Sequence, residues 1–147
     1  MSAAPNGGGG RRHEGAMKPV VAGYFQVLDE DLAAARVMMA GLPRVAAYHL
    51  QQAAEKLARA ILSAEGIHAG AGHHIGQLAA LLLDGHEWRA DLMELDYLSQ
   101  FATAFRYPSE TGRVRAAPAR DVLERYAASL QALADDARAW CGRREGG

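Results

Sequence analysis

The strongest constraint on this chain is a row of apolar residues spaced alternately three and four apart: Leu123, Tyr126, Leu130, Leu133, Ala137 and Trp140. That rhythm paints one continuous stripe along an α-helix. Strict three-four alternation also suits packing against a neighbouring helix at about +20°. The same rhythm recurs upstream. Leu28, Leu32, Ala35 and Met39 form one stripe, and Ala47, Leu50, Ala54, Leu57 and Ile61 form another. Alanine is abundant and β-branched residues are few, which favours helix over strand.

Punctuation divides the stripes into elements. Gly41-Leu42-Pro43 closes the first helix and opens the second, since glycine suits a helix C-terminus and proline a first turn. So short a link makes the two helices antiparallel neighbours. The second helix is expected over residues 43–64, with Glu65-Gly66 as its stop. A short third helix over 75–83 turns Ile75, Leu78 and Leu82 inward. A fourth over 87–105 puts Trp88, Leu92, Leu95, Ala102 and Phe105 on one side and ends before Pro108. A loop over 109–118 leads to a fifth helix from about 119. Trp88, Phe101, Phe105, Tyr126 and Trp140 are expected in the core. The fold class is all-α: an up-and-down bundle of four long helices plus one short one.

The 147 residues suit a single domain. Residues 1–18 read as a flexible tail with four consecutive glycines, in which His13 has no role. The bundle occupies 19–142, and 143–147 are expected to be disordered. A net charge of −1 excludes attraction to nucleic acid by bulk charge but leaves room for a local basic patch. A lone cysteine, Cys141, excludes an internal disulfide framework and fits a reducing compartment. No apolar run approaches the roughly 18 residues of a membrane span, and residues 1–15 lack the apolar stretch of a secretory signal. A cytoplasmic protein with no membrane contact is expected.

No metal or cofactor is expected. Glu65-Gly66-Ile67-His68 has di-iron spacing, but Gly66 breaks the helix that would align the pair. His86-Glu87 begins a zinc-protease pattern, but position 90 is alanine. The adjacent His73 and His74 do not by themselves make a site. Neither a phosphate-binding glycine loop nor a nucleophile elbow is present.

The polar residues of the second helix are more informative. His49, Gln52 and Lys56 share one face; Gln51, Glu55 and Arg59 share the next. Such a face can hydrogen-bond a phosphate, a base edge or a partner helix. It also fits a plain polar exterior whose Glu55–Arg59 pair adds a few tenths of a kcal/mol. Small residues at 46, 53 and 60 allow close helix approach. A second cluster follows the fourth helix: between residues 106 and 120 stand Arg106, Arg113, Arg115 and Arg120 against one acid, Glu110. That local positive excess suits phosphate contact, and Tyr107 beside it could stack on a base.

Tyr48-His49-Leu50-Gln51-Gln52-Ala53-Ala54-Glu55-Lys56 resembles the signature helix of HEPN domains (higher eukaryotes and prokaryotes nucleotide-binding). Asp31-Leu32-Ala33-Ala34-Ala35-Arg36 resembles the family's first helix. His73-His74-Ile75 with Leu78 resembles its His-x-Leu element, with His73 in the family's histidine position. Phe105-Arg106-Tyr107-Pro108 resembles the Arg-Tyr-Pro that closes its fourth helix. The resemblance implies a small helical bundle, commonly a homodimer, often encoded beside a minimal nucleotidyltransferase in a module like a toxin–antitoxin pair. It implies nucleotide or RNA contact through His49, Gln52, Lys56, His73, Arg106 and Tyr107.

One branch of the family consists of metal-independent ribonucleases carrying Arg, four to six residues, then His. There the arginine would stabilise phosphorane charge, and the histidine would act as general acid or base. Arg106 is followed by no histidine within six residues. Arg44 and His49 match the spacing formally, at the start of the second helix. The expected function is therefore a nucleotide- or RNA-binding accessory of a nucleotidyltransferase. A ribonuclease toxin using Arg44 and His49 is the alternative, and a ligand-free helical interaction module is a third.

Overall fold

The computed structural model describes residues 17–72, 74–103 and 107–146. Residues 1–16, and with them His13 and most of the expected tail, lie outside the described residues. So do His73, Phe105 and Arg106. Among the described residues every regular element is helical: α1 (Pro19–Met38), α2 (Pro43–Ala64), α3 (Ile75–Ala79), α4 (Arg89–Glu94), a 3-10 helix (Leu95–Phe101) and α5 (Arg120–Gly146). None of these helices is long and apolar enough to cross a membrane.

Helices α1 and α2 form an antiparallel hairpin, each opened by a proline in its first turn. Their stripes face each other. Leu28, Leu32, Ala35 and Met39 are buried, as are Leu50, Ala54, Leu57 and Ile61. The α2 alanines 46, 53 and 60 are fully buried, so the helices approach along a surface without bulky side chains. Gly66 ends α2 with a φ of 74°. Its N–H donates to the Ser63 carbonyl and that of Ile67 to the Leu62 carbonyl. This pair of bonds is a Schellman closure, which needs a left-handed residue and so favours glycine.

Helix α5 lies against α2 and α1. Leu123, Leu130, Ala137 and Trp140 are buried, while Tyr126 and Leu133 are half-buried at the edge of the stripe. Arg138 fixes α5 to α1: its guanidinium reaches both Asp29 carboxylate oxygens at 2.8 and 2.9 Å and lies over the Phe25 ring. Helix α5 also runs further than expected. Residues 143–146 continue it instead of forming a disordered end, because Arg144 stacks over Trp140 and pairs with Glu65. Arg143 and Arg144 also complement the negative end of the helix dipole. At the other end, Met17 packs on the core and the Lys18 ammonium reaches the Ser63 carbonyl at 3.5 Å, so both residues join the bundle.

The segment between α2 and α5 is helical as expected but less regular. Helix α3 stops at Ala79, and the turns after it tighten to three-residue hydrogen bonds, Leu81 to Leu78 and Leu82 to Ala79. The expected fourth helix is an α-turn and a half followed by the 3-10 helix. Leu95, Leu98 and Phe101 are all buried and three apart, which matches three residues per 3-10 turn. The tighter winding also serves α3. The Ser99 hydroxyl accepts the Ile75 N–H at 2.8 Å, and the Asp96 carboxylate accepts the Gly76 N–H at 2.7 Å. The first two orphan amides of α3 are thus satisfied by another element. A side chain at position 76 would put its Cβ 2.8 Å from the Asp96 carboxyl carbon, so the carboxylate would have to move off the Gly76 amide to admit it.

Candidate functional site

Two polar regions emerge, one on α2 and one at the end of the bundle. On α2 the side chains form a connected row. His49 Nδ1 lies 3.0 Å from Asp31 Oδ1 on α1. A carboxylate only accepts, so Nδ1 is the nitrogen that donates in this contact. Lys56 donates to Gln52 Oε1 at 3.0 Å and lies 3.9 Å from the other Asp31 oxygen. Gln52 donates to Gln51 at 2.6 Å, Gln51 to Glu55 at 3.4 Å, and Arg59 to Glu55 at 3.0 Å. Arg59 finally donates to the carbonyls of Gly70 and Gly72.

His49, Gln52 and Lys56 are thus brought together: Asp31 is the shared partner of His49 and Lys56, and Gln52 accepts from Lys56. Gln51 and Glu55 are not on a polar exterior: they are 0% and 4% exposed. The loop after α2 folds back onto Arg59, which holds the Gly70 and Gly72 carbonyls at the end of the row. Asp31 is the functional candidate that sequence reasoning left unassigned. It stands eighteen residues from His49, so no local pattern could pair them.

The second region is the loop before α5. Ser109 and Arg113 close it with a backbone bond, Ser109 N–H to Arg113 carbonyl at 2.8 Å, and a side-chain bond, Arg113 N–H to Ser109 Oγ at 2.9 Å. Gly112 supplies the left-handed residue of this turn, with φ 81°. The turn frames a cleft of about 640 Å³ lined by Tyr107, Ser109, Arg113, Val114 and Arg115. Tyr107 is 71% exposed and Val114 57% exposed, so two apolar faces flank the arginines in solvent. Arg44, in the first turn of α2, donates from Nε to the Arg115 carbonyl at 2.9 Å and ties this loop to the bundle. The run of arginines after Arg106 was the sequence signal for this cleft.

Arg44 and His49 are five residues apart on one helix, about 140° around it. Arg44 is bonded to the loop and His49 to α1, so within the chain they are held toward different neighbours. Among the described residues no three His, Cys, Asp or Glu side chains gather where a metal ion would sit. Cys141 is buried in α5.

The family model for the HEPN domain matches residues 29–136. This chain belongs to the HEPN family. The match spans Asp31, the whole α2 row and the arginine loop, so both regions lie inside the HEPN domain. Membership supports a nucleotide- or RNA-related role. No curated protein and no solved structure matches the chain.

Proposed function

We propose that this HEPN chain is a nucleotide- or RNA-engaging accessory, dimeric, that partners a nucleotidyltransferase in a toxin–antitoxin-like module. The observation that carries the reading is the cleft beside Tyr107, where an exposed aromatic ring stands next to Arg113 and Arg115. Arginines supply phosphate contacts and the ring a stacking platform. The cleft lacks side-chain amides to read base edges, which fits sequence-tolerant binding. His49, Gln52 and Lys56 form a second, more enclosed polar face, and His73 and Arg106 complete the proposed contact set.

The test is anisotropy with a labelled single-stranded RNA 12-mer in EDTA, read at several salt concentrations. Binding with intact RNA is expected. Tyr107→Leu should weaken it by about 1–3 kcal/mol, the usual worth of one stacked base. Arg113→Ala with Arg115→Ala should reduce the salt slope by about 1.4, at roughly 0.7 per phosphate contact on a single strand. Absence of binding by a folded protein would refute the reading.

The ribonuclease reading draws support from one feature: Asp31 orients His49 so that Nε2 can accept a proton. It requires Arg44 from the partner copy or another arginine. RNA cleavage in EDTA that disappears in both Arg44→Ala and His49→Ala would establish it over the accessory reading.

A further inference from the structure

The groove between α4 and α5 belongs to neither polar region. Helix α5 packs on α1 and α2, whereas the 89–101 segment packs on α2 and α3. The two therefore diverge and leave a cleft of about 460 Å³. Its floor is apolar in part: Leu95 is buried and Tyr126 and Leu133 are half-buried against the core, with Ser129 beside them. Tyr97 stacks on Tyr126 with ring centroids 5.2 Å apart and planes within 11°, which extends the floor with a partly exposed ring. Met93 is exposed nearby in sequence on α4.

The rim is acidic. Asp91 and Glu94 line the cleft, and among the described residues neither has a hydrogen-bond or ion-pair partner. Arg125 is close enough to Tyr126 to oppose the upward shift of its phenol. The surrounding segment, residues 84–96, carries Asp84, Glu87, Asp91, Glu94 and Asp96 against Arg89 alone. Its charge is opposite to that of the loop before α5, so a nucleic acid drawn to that loop is repelled here.

We propose that this groove docks a basic amphipathic helix of a protein partner. The apolar floor takes one or two anchor side chains from the helix's apolar face. Asp91 and Glu94 take lysine or arginine from its flank, and the tyrosine pair offers area at low cost in conformational entropy. Charge complementarity selects this occupant over an acidic or purely apolar helix. The proposal does not depend on RNA binding at the Tyr107 cleft.

The test uses the full chain and an N-acetylated, C-amidated 14-residue helical peptide of leucine and lysine. A second peptide replaces every lysine by glutamate. Amide chemical shifts are followed during titration. The lysine peptide should shift resonances of residues 91–97 and 126–133 and saturate. Asp91→Asn with Glu94→Gln, which keeps side-chain shape, should weaken binding at least tenfold, and 0.3 M salt should do likewise. Arg113→Ala with Arg115→Ala should leave it unchanged. Shifts centred elsewhere, equal binding of the glutamate peptide, or an undiminished affinity in the acid-to-amide variant would overturn the proposal. So would groove shifts that follow protein concentration without peptide, which would make a second copy the occupant.

Discussion

The α1–α2 hairpin and the segment from α3 to Phe101 are both helical, yet they are held by different forces. The hairpin is bonded by area: two long apolar stripes face each other, and alanines let the backbones close together. Its polar groups are accommodated inside that frame as one connected row. The α3–Phe101 segment has elements of five, six and seven residues, too short to be stable alone. It is organised by side chains that reach across to backbone amides, Ser99 and Asp96 onto the start of α3. Length and periodicity make one region self-evident, while the other depends on a few polar contacts.

This contrast predicts a ranking of effects. Leu50→Ala, in the fully buried α2 stripe, should cost about 3–5 kcal/mol in urea unfolding, the range for a large-to-small change that leaves a cavity. Glu55→Ala should cost about 3 kcal/mol, because it leaves the Arg59 guanidinium, largely buried, without its carboxylate. If Glu55→Ala is nearly neutral, the polar row is an ornament of the hairpin and not part of its frame.

Gly76→Ala should cost about 1–3 kcal/mol, through displacement of Asp96 and loss of the amide bond it makes. Ser99→Ala should cost about 1 kcal/mol or somewhat more, since the buried Ile75 amide loses its acceptor. Hydrogen exchange sharpens both cases: in Ser99→Ala, amides of α3 should open well before those of α2. Exchange that rises equally in both regions would erase the distinction and make the bundle one cooperative unit.

The smallest effect is an alkaline one. Burial raises the Tyr126 phenol above its ordinary value, with further upward pushes from Tyr97 and Glu94 and a partial offset from Arg125. The neutral phenol is therefore favoured in the folded state. Its contribution is fully present below the ordinary phenol value and is lost as pH rises through the raised one. Stability of the parent should fall over that window more steeply than stability of Tyr126→Phe. Parallel curves would show that the groove beside Tyr126 is fully solvated.

Much of the fold was legible. The stripes of α1, α2 and α5 follow the helical period, and Gly66, Pro43 and Pro19 mark boundaries by backbone preference. The 3-10 helix had a visible signal in Leu95, Leu98 and Phe101, but three-residue spacing also belongs to α-helices, so it did not decide. The end of α5 was misplaced because Arg143 and Arg144 look like a solvated tail until Glu65 and Trp140 are beside them. Of the candidate site, the shared face of His49, Gln52 and Lys56 was legible from spacing, and the arginine loop from composition. The burial of Gln51 and Glu55 was not, since their spacing is that of an ordinary exposed helix pair.

The sequence by itself determined which segments are helical and that the first two pair as a hairpin. Those are properties of single segments, set by periodicity and by residues with special backbone conformations. Only the tertiary structure decided that Asp31 holds His49, that Arg59 closes a loop over a buried carboxylate, and that a groove opens between α4 and α5. A polar group's partner must come within about 3 Å, and which residue arrives there depends on how distant segments pack.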